Sequence, residues 1–337
     1  MSFDTAILKT LSRNERPDAA SLEAALTTIL HGNAASEQIS ALLLGLEMIG
    51  LSSREVRVGT EVMRRNMMPV TLEGDVIDIV GTGGTGLHTL SISTATAIVC
   101  AAAGAKVAKH GNRAASSLTG TADTLSELGV NLAVGPERTA EIIGDVGLGF
   151  LFAPNHHPAM RHVGPARKAL GIRTLFNLLG PMSNPAGAKR MLLGVCDDGW
   201  RRPMADALCE LGAEHVWVVH GEDGMDEITT TGATQVTEVK NGQIDDFTVS
   251  PQSYGIDLAS LDQLRGGKPS ENAGALRDLL DGNSSAYRDI VILNAGVALM
   301  IAGVTKDIPD GIDRAIQAID SLDARRTLDA LVRETNR

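Results

Sequence analysis

Three polar clusters in this chain have the residue types and spacing for chemistry. The first is Gly81-Thr82-Gly83-Gly84, with Gly86 beyond, which follows the β-branched run Val76-Ile77-Asp78-Ile79-Val80 and precedes a small-residue, apolar run from 91 to 101. Glycine lets a backbone turn tightly and lets a ligand approach the main chain. A helix start offers unpaired N–H groups and the positive end of a dipole to an anion. Ser91, Ser93 and Thr94 add hydroxyls there, and that of Ser93 also suits a metal ion. The second cluster is Lys109-His110-Gly111-Asn112-Arg113, placed after the short apolar run 105–108. Ser116, Ser117, Thr119, Gly120 and Thr121 then lead into a helical run over 122–128. Open α/β sheets bind ligands at the carboxyl ends of their strands, so two such loops predict one cradle for a doubly phosphorylated, strongly anionic ligand. The third is Asp226-Glu227, in a loop after the apolar run 215–219. Magnesium prefers oxygen ligands, keeps several waters, and often takes one or two carboxylates together with substrate phosphates.

Each cluster has a plainer reading. A glycine turn capped by Ser and Thr starts many helices, and adjacent acids often form solvated turns. The glycine spacing matches neither the dinucleotide fingerprint nor the Walker loop.

The elements that must position these clusters divide by pattern. Residues 1–70 read as helices: 21–30, 36–49, and a third that the capping box Ser52-Ser53-Arg54-Glu55 opens and that runs to Arg65, with Pro69 behind it. The apolar face over 41–46 reads as core. From about 74 onward strands alternate with helices. Strands are expected at 76–80, 105–108, 149–152, 191–195 and 215–219, with helices at 136–143 and 203–211 among them. That alternation argues for a mainly parallel sheet with helices on its faces. Val236-Thr237-Glu238-Val239 and Ile244-Asp245-Asp246-Phe247, joined around Asn241-Gly242, read as a peripheral hairpin. Helices at 272–280 and 289–302 are expected to close the chain. The fold class is thus α/β, with a small N-terminal helical domain (1–70) and a larger α/β domain (74–337) around a mainly parallel central sheet.

Composition narrows the partners. With 30 basic and 41 acidic residues the formal charge is −11, which gives no general basic face and disfavours nucleic acid. An acidic protein that binds an anion must rely on local cations, here Lys109, Arg113 and Arg167, or on metal ions. Cys100, Cys196 and Cys209 make no metal or disulfide pattern, which fits a reducing, cytoplasmic home. No signal segment or bilayer-length apolar run is read, so no membrane partner is expected.

Longer segments carry a resemblance. Gly81-Thr82-Gly83-Gly84, Ser93-Thr94, Lys109-His110-Gly111-Asn112-Arg113, Phe152-Ala153-Pro154 with His157-Pro158-Ala159-Met160, and Arg167-Lys168 occur in order. Arg173-Thr174-Leu175-Phe176-Asn177-Leu178-Leu179-Gly180-Pro181 and Val219-His220-Gly221-Glu222-Asp223-Gly224-Met225-Asp226-Glu227 complete the set. The chain resembles the anthranilate phosphoribosyltransferases, enzymes of tryptophan biosynthesis with a nucleoside phosphorylase/phosphoribosyltransferase-like fold. The resemblance implies transfer of a phosphoribosyl group from 5-phosphoribosyl 1-pyrophosphate (PRPP) to the amine of anthranilate.

It also implies sites. Those for PRPP are Gly81, Gly83, Gly84, Thr85, Thr89, Ser91, Ile92, Ser93, Thr94, Lys109, His110, Gly111, Asn112, Arg113, Ala114, Ala115, Ser116, Ser117 and Thr121. Those for anthranilate are Gly81, His110, Asn112, His157, Arg167, Gly180 and Pro181, with Arg167 on the carboxylate. Lys109 and Arg167 take the catalytic roles, and two magnesium ions per subunit are expected on Ser93, Asp226 and Glu227. A homodimer through the helical domain, which a segment near 165–190 joins, is implied as well. Arg161 and Arg173 are read as ion-paired surface or loop residues.

Two positions depart from the family pattern. Thr85 stands where an aspartate is usual and Ser91 where an asparagine is usual, which implies altered magnesium dependence. Two alternatives remain open at this stage. One is a pyrimidine nucleoside phosphorylase of the same fold, suggested by Gly120-Thr121-Ala122-Asp123. The other is a non-catalytic, nucleic-acid-binding relative.

Overall fold

The computed structural model describes residues 2–114 and 118–337. Ala115, Ser116 and Ser117, all expected at the PRPP site, lie outside the described residues. Seven strands make one sheet: β1 (Ile77–Gly81), β2 (Val107–Gly111), β3 (Leu148–Phe152), β4 (Arg190–Gly194), β5 (His215–Gly221), β6 (Thr234–Lys240) and β7 (Gln243–Val249). Their spatial order is β3-β2-β1-β4-β5-β6-β7. The first five run parallel, and β6 and β7 run antiparallel. From β1 the chain moves outward to β2 and β3, then returns to β4 on the other side. That reversal opens a crevice at the carboxyl ends of β1 and β4, where α/β sheets bind ligands.

Side chains alternate across the sheet and feed two cores. Ile77, Ile79, Leu192, Trp217 and Val219 join one core with helices Ile92–Ala102, Ala286–Ile301, Ile308–Asp320 and Asp323–Thr335. Met191, Leu193, Val216 and Val218 join the other with the N-terminal helices Ala19–Leu30, Ser36–Ile49 and Ser53–Arg65. Helices Gly164–Leu170, Leu175–Met182 and Arg201–Glu210 belong to that second core too. A sheet covered on both faces needs continuously apolar strands, which is why β1, β4 and β5 read as runs rather than as alternations. The carboxylate of Glu55, fully buried, accepts from the N–H of Ser52 at 2.8 Å, from its hydroxyl at 2.5 Å, and from Arg16 at 3.0 Å. This is how the third long helix of the N-terminal layer begins.

Three expectations need correction. The second strand lies at Val107–Gly111 rather than 105–108, because its pairing with β3 runs from Val107↔Leu148 to Gly111↔Phe152 and gives the polar Lys109 and His110 buried places. The late hairpin is part of the central sheet: β6 pairs with β5 from His215↔Lys240 to Gly221↔Thr234. Asn241 and Gly242 both have positive φ, +53° and +79°, as the tight turn requires. The chain closes with Ile308–Asp320 and Asp323–Thr335, beyond the expected closing helices. Ile308, Ile312, Ala315 and Ile319 carry the helical period there, and all are buried.

One buried side chain ties this scaffold to the acidic loop. Asn294, fully buried in Ala286–Ile301, donates to the Ile228 carbonyl at 2.7 Å and accepts from the Ile228 N–H at 3.0 Å. Asn294→Leu would leave both groups unpaired and should lower unfolding stability by about 2–4 kcal/mol. Urea titration monitored by circular dichroism measures this, and a loss below about 1 kcal/mol would contradict the clamp.

Candidate active site

The cradle starts where β1 runs out of side chains. Gly83, Gly84 and Gly86 have φ of +66°, +79° and +74°, a backbone region that glycine alone adopts without strain. Asp226 reaches this loop and accepts from the Gly83 N–H through Oδ2 at 2.8 Å. A Cβ on Gly81 would lie 2.3 Å from that same oxygen, and one on Gly194 would lie 1.7 Å from the Asp226 backbone oxygen. Asp226 therefore occupies space that two bare strand ends leave. Behind it, Asp223 accepts from the Met225 N–H (2.9 Å) and from the hydroxyls of Thr229 (2.7 Å) and Thr231 (2.6 Å), which stiffens the loop. Glu227 accepts from the backbone N–H of Ser93. Ser93, Asp226 and Glu227 are thus brought together from two distant parts of the chain.

Lys109 lies beneath them, almost fully buried, and donates to the Ile79 carbonyl at 2.5 Å. Burial lowers its pKa, while Asp78, Glu227 and Asp226 pull it back up. Burial and the neighbouring Asp226 push Glu227 up to about 8, and burial raises Asp226 as well. Two half-buried carboxyls that together resist full ionisation gain from a divalent cation, which takes the place of the retained proton. Among the described residues no three His, Cys, Asp or Glu side chains form a closed metal cage. Two carboxylates and a hydroxyl fit magnesium's preference for oxygen ligands, and Asp226, Glu227 and Ser93 would hold it alongside substrate phosphates.

The second loop is tied at its base. Arg113 pairs with Asp123 at 2.8 Å and lies 5.7 Å over the Phe152 ring, and Asp123 also accepts from the N–H groups of Ala114 (3.1 Å) and Gly120 (3.0 Å). Asn112 is exposed. Thr121 opens helix Thr121–Glu127 and so presents that helix start beside the loop. In the first loop Thr85 Oγ1 accepts from the Leu87 N–H at 3.3 Å, and Thr89 bridges Arg265 through its backbone. The Ser91 hydroxyl is engaged with Thr124 (2.7 Å) and Asn272 (3.3 Å), while Ile92 is buried in the core. Thr94 keeps a buried, unpartnered Oγ1.

A separate slot forms around the histidines. The rings of His110 and His157 lie 5.1 Å apart; His110 bonds the backbone of Gly180 and His157 that of Ser183. Each keeps a buried Nε2 without a partner. Gly180 and Pro181 lie in helix Leu175–Met182, and Arg167 donates to Asn177 of that helix at 3.3 Å. Burial lowers the Arg167 pKa, and no carboxylate among the described residues pairs with it. Arg173 is not ion-paired as expected: its guanidinium donates to the Gly84 carbonyl and lies 5.6 Å over Trp200. Arg161 is exposed and donates to His162 at 3.2 Å.

Sequence reading passed over Asp78, Asp123, Asn184, Gly194 and Asn272. Asp78 did carry a signal, as the one acid in a β-branched buried strand.

The helical bundle domain of a glycosyl transferase family matches residues 5–67, and the a/b domain of a glycosyl transferase family matches residues 73–325. The anthranilate phosphoribosyltransferase of Parvibaculum lavamentivorans is 51% identical over 334 residues, which cover 99% of this chain and 98% of that one. This chain belongs to the anthranilate phosphoribosyltransferase family. The crystal structure of the Thermus thermophilus anthranilate phosphoribosyltransferase superposes with a TM-score of 0.92 at 40% identity, covering 98% of this chain and 99% of that one. The Saccharomyces cerevisiae anthranilate phosphoribosyltransferase, in complex with PRPP and Mg, gives 0.90 at 27% identity, covering 98% and 97%. Neither the nucleoside phosphorylase nor the nucleic-acid-binding alternative is favoured by these anthranilate phosphoribosyltransferase relatives.

The buried histidines set a pH dependence. Burial lowers the pKa values of His110, His156 and His157, that of His157 to about 4. Unfolded, these rings titrate near 6.5. The unfolded chain then binds more protons, so stability falls as pH drops from 6.5 toward 4. His157→Asn should remove about 1 kcal/mol of the stability loss between about pH 7 and 5.5. Urea unfolding at both pH values checks this, and an unchanged difference would show that His157 is not held neutral.

Proposed function

We propose that this protein transfers the phosphoribosyl group of PRPP to the amine of anthranilate, releasing pyrophosphate and N-(5-phosphoribosyl)anthranilate, in tryptophan biosynthesis. The observation that carries the reading is the acidic pair Asp226-Glu227 seated beside Ser93 in a glycine-floored crevice. Few other ligands need two carboxylates, free N–H groups and a buried lysine together. Ser93, Asp226 and Glu227 would hold magnesium, two ions per subunit, whose charge offsets that of the pyrophosphate. The glycine loop and the loop at 109–114 cradle the phosphates, and Lys109 tempers the acidic pair beneath them. Arg167 orients the anthranilate carboxylate, with His110, Asn112, His157, Gly180 and Pro181 along the slot.

In the reaction the amine nitrogen bonds to C1 of the ribose, the C1–oxygen bond to pyrophosphate breaks, and the nitrogen then loses a proton to solvent. An arylamine is neutral at physiological pH, so no strong base is required before attack, and positioning supplies much of the rate. N–H donors of the two loops, together with magnesium, would offset the charge growing on the departing pyrophosphate.

The same reading extends to assembly and location. Leu44 and Met48 stand one turn apart on Ser36–Ile49, 42% and 76% exposed, and offer an apolar seam for a homodimer through the helical layer. Among the described residues no helix is long and apolar enough to cross a membrane, and a cytoplasmic location accords with the pathway.

Loss of anthranilate fluorescence with PRPP and magnesium should report turnover. Arg167→Ala should lower kcat/KM for anthranilate by about 100-fold or more; a wild-type rate of zero would end the reading. In the same assay Thr85→Asp should shift the magnesium optimum. Identical magnesium curves would show that the missing carboxylate is immaterial. Sedimentation equilibrium should give a dimer that Leu44→Glu with Met48→Glu dissociates, and a monomeric wild type would refute this seam.

A further inference from the structure

The seam between β1 and β2 differs from its neighbours. β1 pairs in register with β4 at five positions, and β2 with β3 at five, but β1 and β2 meet at one, Ile77 with Val107. Beyond that point side chains take over from the ladder. Asp78 Oδ1 accepts from the His110 N–H at 3.1 Å, and its Oδ2 accepts from Asn184 Nδ2 at 2.6 Å. The same Asn184 nitrogen donates to the Ala108 carbonyl at 2.8 Å. Lys109 Nζ reaches the Ile79 carbonyl at 2.5 Å. By strand alternation Asp78 and Lys109 enter the seam from opposite faces, since Ile77 and Val107 share one core. Asp78, Lys109, His110 and Asn184 are 0%, 2%, 4% and 3% exposed.

We propose that Asp78 is a positioning residue, a spacer that sets the gap between the glycine loop at 81–84 and the loop at 109–113, and thereby the fit of a sugar diphosphate bound across both. The inference rests on the functional reading above. Ladder hydrogen bonds hold strands roughly 4.8 Å apart, and a carboxylate interposed between two backbones forces them wider. A buried carboxylate is an expensive way to join two strands, since burial disfavours its charge; a valine and an unbroken ladder would make a simpler sheet. The two strands that part here are the two that end in the ligand loops, whereas β1 and β4 stay paired up to Gly81 and Gly194. Each seam partner also bears on the site. Asp78 bonds the backbone of His110, whose ring bonds Gly180, and Lys109 carries its charge to Asp226 and Glu227.

The test compares wild type with Asp78→Ala in the presence of magnesium. PRPP affinity is read by isothermal titration, both KM values by anthranilate fluorescence, folding by thermal unfolding, and the seam by hydrogen exchange at the His110 amide. Asp78→Ala, which removes both acceptors and the spacing atoms, should unfold cooperatively, lose protection at the His110 N–H, and bind PRPP about tenfold or more weakly. A lowered melting temperature with PRPP affinity within about threefold of wild type would make Asp78 a structural plug and overturn the proposal. Wild type that binds no PRPP would overturn the functional reading itself and the spacer with it. Should Asp78→Ala fail to fold, Asp78→Ser, which keeps a hydroxyl acceptor on a shorter side chain, is held to the same affinity criterion.

Discussion

A carboxylate can stand at the carboxyl edge of this sheet only because β1 and β4 both end in glycine. Gly81 and Gly194 leave a niche that Asp226 fills with its side chain on one strand end and its backbone on the other. Any side chain at either position would push the acidic loop outward. The contact works in both directions, since Asp226 also fixes the Gly83 N–H and so the conformation of the glycine loop. Asp223 and Asn294 secure the loop from behind. Asp226 and Glu227 thereby become fixed parts of the scaffold, although they reach the site from a loop far from the glycines in sequence.

Charge at the site follows from that arrangement. The protein is strongly acidic overall, and its local cations are largely committed. Lys109 is surrounded by Asp78, Glu227 and Asp226, Arg113 is paired with Asp123, and Arg173 is bonded to the Gly84 carbonyl. Arg167 is the cation near the slot that no carboxylate among the described residues holds. A polyanion entering the crevice must therefore be met by backbone N–H groups and by metal ions rather than by free side-chain charge. This is the economy expected where a magnesium–phosphate complex is the ligand.

The two proposed substrate regions belong to different layers. The cradle is built on the sheet and the helix starts above it. The histidine and Arg167 slot is built on Gly164–Leu170 and Leu175–Met182, which share a core with the N-terminal helices and with Met191, Leu193, Val216 and Val218 of the sheet. The helical layer is thus packed continuously onto one face of the sheet, and the proposed cradle and slot adjoin at its boundary. His110 bridges the two, with its backbone on Asp78 and its ring on Gly180.

Much of this was legible in the sequence because it depends on local preferences. Periodicity marked the strands and most helices, Asn241-Gly242 marked a turn, and glycine and serine marked a strand-to-helix junction. The capping box at Ser52 located a helix start to the residue. What escaped were elements and contacts whose meaning depends on a distant partner. The pairing of β2 with β3 moved the second strand onto Lys109 and His110, and the last two helices were hidden by polar residues between their apolar positions. Gly194 looks like any strand-end glycine until Asp226 is seen against it. Arg173 looks like a surface arginine until Gly84 lies beneath it. The sequence alone determined the fold class, the alternation of strands with helices and the chemical types gathered in each loop, since these follow from short-range backbone preferences and apolar spacing. The tertiary structure decided which bare backbone receives which side chain, and where the sheet parts, because close approach depends on distances between segments that share no local pattern.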